Sequence, residues 1–116
     1  MHSVHQGIAE KSMLVAVFRR RLKEGKTYED FQEAWYPAEG FSAHFGIRGR
    51  LVNARRFDDE REILSVGFLD IPLDAVDSVL EHVAGGEAER HQRIADVIES
   101  TELRAFYEVV FDEEIT

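Results

Sequence analysis

The sequence predicts an α+β domain of order β-α-β-β-α-β around a four-stranded antiparallel sheet. Two β-α-β halves of similar length, a central pair of strand-like runs joined by a short polar connection, and helical periodicity on either side of that pair predict it. The 116 residues carry 14 Lys+Arg against 23 Asp+Glu, a formal charge of −9, on a 44% apolar composition. That is the balance of one acidic globular domain, with far too much apolar side chain for a disordered one.

Residues 1–12 follow neither periodicity and are expected to form a flexible tail, with the domain proper at 13–116. From Met13 to Lys23 the chain is rich in Val, Leu and Phe and meets no breaker before Gly25, as a strand requires. Thr27 is an N-cap residue with Asp30 in the capping-box position, and Glu29 and Asp30 suit the positive end of a helix dipole. Tyr28, Phe31 and Trp35 share one face of that helix, and Pro37 ends it. Residues 37–46 read as a loop packed through Phe41 and Phe45.

The runs Ile47–Phe57 and Glu62–Ile71 are expected to pair as an antiparallel hairpin across residues 58–61. A second helix from about Asp74 to Ala84 follows, with Val76, Val79, Leu80 and Val83 on one face, and Gly85-Gly86 is expected to stop or kink it. A further helix from Glu87 to about Ser100 presents Ile94, Val97 and Ile98, and Arg104–Asp112 has the content of a last strand. The order is that of the ferredoxin-like split βαβ plan.

In such a plan helices cover one sheet face and the other meets water, so each strand should alternate. Strand three instead offers Ile63, Leu69 and Ile71 beside small Ser65 and Gly67 on one face, and Leu64, Val66 and Phe68 on the other. Strand one is apolar on both faces from Met13 to Phe18. Both faces call for cover, and a second copy of the same sheet, related by a two-fold axis, is the expected source of the second.

In this the chain resembles the dimeric α+β barrel superfamily, which includes antibiotic-biosynthesis monooxygenase-like, EthD-like and Dabb-like domains. The resemblance covers residues 13–113 and rests on element order, length, the doubly apolar strands and the interrupted second helix. It implies a homodimer with sheets face to face and a small-molecule pocket beside the sheet. Members include cofactor-independent oxygenases, haem-degrading enzymes, polyketide cyclases and isomerases. The monooxygenase-like and haem-degrading branches use an Asn, a Trp and a His or Arg around an aromatic substrate. This chain offers Trp35, His44, Asn53 and Arg55, whereas its first strand carries no Asn.

His44, in an apolar segment, is the candidate acid or base near neutral pH. Asn53 and Arg55 share a face of strand two with Gly49 and Leu51, and are expected to hold a developing oxyanion. Trp35 and Tyr107 are candidate substrate-binding residues. The expected ligand is small, largely apolar, aromatic or polyketide-like, and the reaction a cofactor-independent oxygenation, cyclisation or isomerisation. A non-catalytic binding or sensing module, or a purely structural dimer, is the alternative.

Other classes find less in the sequence. With no cysteine there is no thiolate site, and Glu87 and His91, four apart, lack the spacing of a metal-binding motif, so no metal or other cofactor is expected. The RNA-recognition fold shares this element order, but its strand-three signature of a basic residue, glycine and alternating aromatics is absent from residues 62–68. Gly46-Ile47-Arg48-Gly49 fits the GxxG of KH domains, yet it enters a strand here. No nucleic acid, no membrane and a cytoplasmic location are the expectations. Charge is uneven: residues 12–61 carry 10 basic against 8 acidic, and residues 62–116 carry 3 against 14. The basic excess at Arg19–Arg21, Arg48, Arg50, Arg55 and Arg56 is expected to gather on neighbouring strands, to meet an anionic ligand or the acidic helices of a partner.

Overall fold

The computed structural model describes residues 14–116; the tail expected at 1–12 lies outside them. Four strands, β1 (Leu14–Leu22), β2 (Gly49–Arg56), β3 (Asp59–Leu69) and β4 (Ile98–Glu108), form one sheet in the order β2-β3-β1-β4 with every neighbour antiparallel. Helices α1 (Tyr28–Trp35), α2 (Phe41–Phe45) and α3 (Val76–Ala95) connect them, the last preceded by a 3₁₀ turn at Leu73–Ala75. This is the ferredoxin-like arrangement.

The capping box is formed: Thr27 Oγ1 accepts from the Asp30 backbone N–H at 3.2 Å, and Asp30 Oδ2 accepts from that of Thr27 at 2.9 Å. Those hydrogen bonds hold the Asp30 carboxyl below the usual carboxylate range. The loop expected at 37–46 contains a turn of helix bounded by Gly40 and Gly46, both at positive φ. Gly49, where β2 begins, admits no side chain: a Cβ would lie 2.4 Å from the Phe68 carbonyl oxygen.

Three boundaries differ from expectation. The hairpin turns tightly at Phe57-Asp58, with Arg56 opposite Asp59, because the acidic residues extend β3 as far as Asp59. α3 runs unbroken through Gly85-Gly86, correcting the expected interruption. A mid-helix glycine costs only about 1 kcal/mol relative to alanine, too little by itself to break a helix of 20 residues. β4 therefore begins at Ile98, earlier than the aromatic run that marked it.

One face of the sheet carries α1 and α3. At one end of it Leu22, Phe31, Ile63, Ile94 and Val97 form the buried core, with Tyr28, Ala34, Trp35 and Ile98 against it. Across the opposite face the register aligns Phe68-Val15-Tyr107 and Val52-Val66-Val17-Ala105. Leu64, Phe68 and Tyr107 on that face are 36%, 38% and 49% exposed. Both faces are apolar, as the strand pattern predicts, and among the described residues helices cover only one of them.

The expected basic cluster is divided. β3 separates β1 from β2, and the arginines find separate acids: Arg21 with Asp59 at 2.9 Å, Arg19 with Glu102 at 3.5 Å, and Arg56 with Asp58 at 2.6 Å. Arg20 points the other way, into the interior, because strand alternation places it on the helix side with Leu22.

Candidate functional site

At the other end of the helix-covered face the layers part and enclose a cavity of about 410 Å³. Small side chains make the space. Ala16 on β1 lies opposite Gly67 on β3 and Phe106 on β4, and a Cβ on Gly67 would come within 3.0 Å of the Leu51 side chain. Leu14, Leu69, Ile71, Val76 and Val79 complete an apolar wall, and Trp35 and Phe41 close one side with ring centroids 4.6 Å apart. A pocket of this size with few polar groups is the usual form of a small-molecule site.

The polar groups lining it are Ser65, Arg20, Arg104 and three residues of α3, Glu87, Arg90 and His91, the last three placed on one side by the i, i+3, i+4 spacing. Arg90, buried, donates from Nε to the Trp35 carbonyl at 2.7 Å and from Nη1 to Glu87 Oε2. Burial tends to raise the Glu87 pKa, but Arg90 and the hydrogen bonds from Arg90 and His44 outweigh it and hold the carboxyl below its usual range. For His91 partial burial dominates; helped by Arg104, Arg90 and Arg20, it outweighs the attraction of Glu87 and lowers the pKa beneath 6.5. The shift favours the neutral form of the imidazole at the cavity's exposed edge.

Arg20 is 5% exposed, and burial, with Arg90 and Arg104 and against Glu87, brings its pKa down to about 10. Its guanidinium lies 4.6 Å from the Phe18 ring centroid and 5.6 Å from that of Phe31. Nη1 is buried, with no hydrogen-bond partner among the described residues.

The residues singled out in the sequence occupy different places. Trp35 lines the cavity. His44 is buried behind it, its Nδ1 3.2 Å from Glu39 Oε2 and its Nε2 3.0 Å from Glu87 Oε2, so it reaches the cavity through Glu87. Asn53 also stands behind the wall: it accepts from Ser65 Oγ at 2.6 Å and donates to Tyr28 Oη at 3.0 Å and Gln32 Oε1 at 3.4 Å. Arg55, opposite Ile63, is exposed and absent from the lining. Tyr107, opposite Val15, lies on the other face of the sheet. His44, Asn53 and Arg55 therefore do not converge on one point.

Sequence reasoning passed over Arg20, Arg90, Arg104 and His91 as cavity residues. For Arg20 the signal was present: an arginine between Phe18 and Leu22 on the inward face of a strand. Among the described residues no group of three or more His, Asp or Glu is placed to hold a metal ion, and no helix is long and apolar enough to cross a membrane.

No protein-family model matches the chain, and no curated protein matches it. Two solved structures are similar. One, assigned as an antibiotic biosynthesis monooxygenase from Chloroflexus aurantiacus J-10-fl, superposes with a TM-score of 0.61 at 18% identity, over 90% of this chain and 100% of that one. The other is SnoaB, a cofactor-independent oxygenase from Streptomyces nogalater, with a TM-score of 0.59 at 13% identity, over 90% of this chain and 97% of that one. At these identities the likeness is one of architecture, and the chain shares the ferredoxin-like fold of these two proteins.

Proposed function

We propose that the protein binds a small, largely apolar aromatic or polyketide-like molecule in the cavity beneath α3 and oxygenates it without a cofactor. The observation that carries this reading is the place of His91, beside Arg20 and Arg104, at the wall of a cavity of about 410 Å³ whose remaining lining is mostly apolar. A general base with a pKa near or below neutrality is competent to take a proton from a ring CH₂ made acidic by flanking aromatic or carbonyl groups. The carbanion then reacts with O₂: the CH₂ becomes C=O, one oxygen atom enters the product, and the other leaves with the two hydrogens as water. The positive field of Arg20 and Arg104 favours the anion while it exists. His44 and Asn53 act as positioning residues, His44 through Glu87 and Asn53 through Ser65. The fold shared with a cofactor-independent oxygenase supports the reaction class.

The same reading makes the protein a homodimer through the uncovered sheet face, where Leu64, Val66 and Phe68 of β3 meet those of a second copy. The test is oxygen uptake with 1,8-dihydroxyanthrone as substrate, with the assembly mass measured in the same buffer. One O₂ consumed per quinone formed, in a dimer, and loss of turnover in His91→Gln are the expected results. Binding of the anthrone without oxygen uptake would make the protein a binding or sensing module, and a clean monomer would overturn the assembly.

A further inference from the structure

Among the described residues the lining of the cavity carries three arginines against one carboxylate. Arg90 is paired with Glu87, the one carboxylate in the lining among the described residues, and that carboxylate also meets His44. Arg20 and Arg104 remain, and among the described residues neither makes an ion pair within 4.0 Å. For Arg104, partly in solvent, water suffices. Arg20 is 5% exposed, and no acceptor among the described residues meets its Nη1. The Phe18 and Phe31 rings stabilise its charge but offer no lone pair to the N–H. A buried donor left without a partner costs stability, and more so when charged. A solvent-facing arginine would avoid the cost, as Arg19 and Arg21 on either side do.

We propose that Arg20 is the receptor for a carboxylate on the cavity's ligand, so that an aromatic acid is taken in preference to a neutral aromatic of the same shape. A carboxylate suits the planar fork of a guanidinium, and its two oxygens match two unpaired cations on the lining, Arg20 and Arg104. The neighbouring side chains of β1 and β4, Phe18 and Phe106, stand edge to face at 6.5 Å and supply apolar surface for the ring that carries the acid. The proposal rests on the cavity being a small-molecule site and adds the chemical class of what enters it.

Calorimetric titration of the full chain at pH 7 with 2-naphthoate and with its neutral isostere 2-naphthamide separates the two. Naphthoate is expected to bind about tenfold or more tightly than the amide, the return on a charge-assisted hydrogen bond. Arg20→Met is expected to bring the ratio close to unity with the amide's affinity retained, whereas Arg55→Met, outside the cavity, keeps the ratio. Equal binding of the two probes by the unmodified protein, or a ratio that persists in Arg20→Met, overturns the carboxylate assignment and leaves the small-molecule site standing. Binding of neither probe overturns both. Should Arg20→Met fail to fold, the Arg20 Nε–H resonance of the unmodified protein decides: it moves with naphthoate and not with the amide, and a resonance unmoved by naphthoate sinks the assignment.

Discussion

The two ends of the helix-covered sheet face are built from the same strands and the same two helices, yet one is solid and the other hollow. At the solid end Leu22 and Ile63 rise from the sheet to meet Phe31, Ile94 and Val97, and Phe31 and Ile63 have no exposed surface. At the hollow end the corresponding rungs are Ala16, Gly67 and Ser65, whose short side chains leave α3 standing off the sheet. Arg20 stands between them on β1, two residues from Leu22 and in the lining of the cavity. The contrast teaches that stability and binding are divided along a single strand. Large residues at one end hold the layers together, which allows small ones at the other to hold them apart.

The largest effect expected from this division comes at the solid end. Phe31→Ala removes a fully buried ring that contacts Trp35 and Tyr28, and should cost about 3–5 kcal/mol in denaturant unfolding. A loss under about 1 kcal/mol would mean that the two ends do not differ as described. The opposite effect is expected of Ala16→Phe, which places a ring in the cavity: stability should stay within about 1–2 kcal/mol of the original while affinity for 2-naphthamide falls by about tenfold or more. Retained affinity would place the ligand elsewhere.

The same division explains what the sequence let one read. Element order, the capping box at Thr27 and the doubly apolar strands were legible because each is a local pattern. The continuous α3 was not, since a glycine pair is a breaker by propensity and its retention depends on distant packing. The site was less legible than the fold. His44 and Asn53 drew attention as polar residues in apolar surroundings, and they are engaged in hydrogen bonds one residue behind the wall. Arg20 looked like one of three basic residues at a strand end, and only the register, which turns Arg19 and Arg21 to one face and Arg20 to the other, separates it from them. His91 and Glu87 were visible as a pair four apart on a helix, but that both border a cavity, His91 at its exposed edge, depends on the small residues of the sheet opposite.

The smallest effect expected is one of pH, and it reads the hollow end directly. His91 faces Glu87 on its own helix and Arg20 and Arg104 from the sheet, with Arg90 one residue away; partial burial and the three arginines favour the neutral ring over the charged one. Its folded-state pKa is thus below the 6.5 of the unfolded chain. In the window between the two values the unfolded chain binds more protons, so stability must fall as pH drops from 6.5 toward the folded value and level off beneath it. Glu87, whose carboxyl is also depressed, adds a second loss in a separate window below 4.5. Denaturant midpoints measured between pH 7.5 and 5 should therefore decline gently, and His91→Gln should remove that decline while leaving the steeper acid limb in place. A bound carboxylate beside Arg20 changes the sign of one contribution to that balance. With 2-naphthoate in the cavity a negative charge joins Glu87 in favouring the imidazolium, so the His91 resonance should titrate at a higher pH than in the free protein, and 2-naphthamide should produce no such rise. An unmoved His91 titration under saturating naphthoate would separate the imidazole from the bound acid and remove it from the cavity's chemistry.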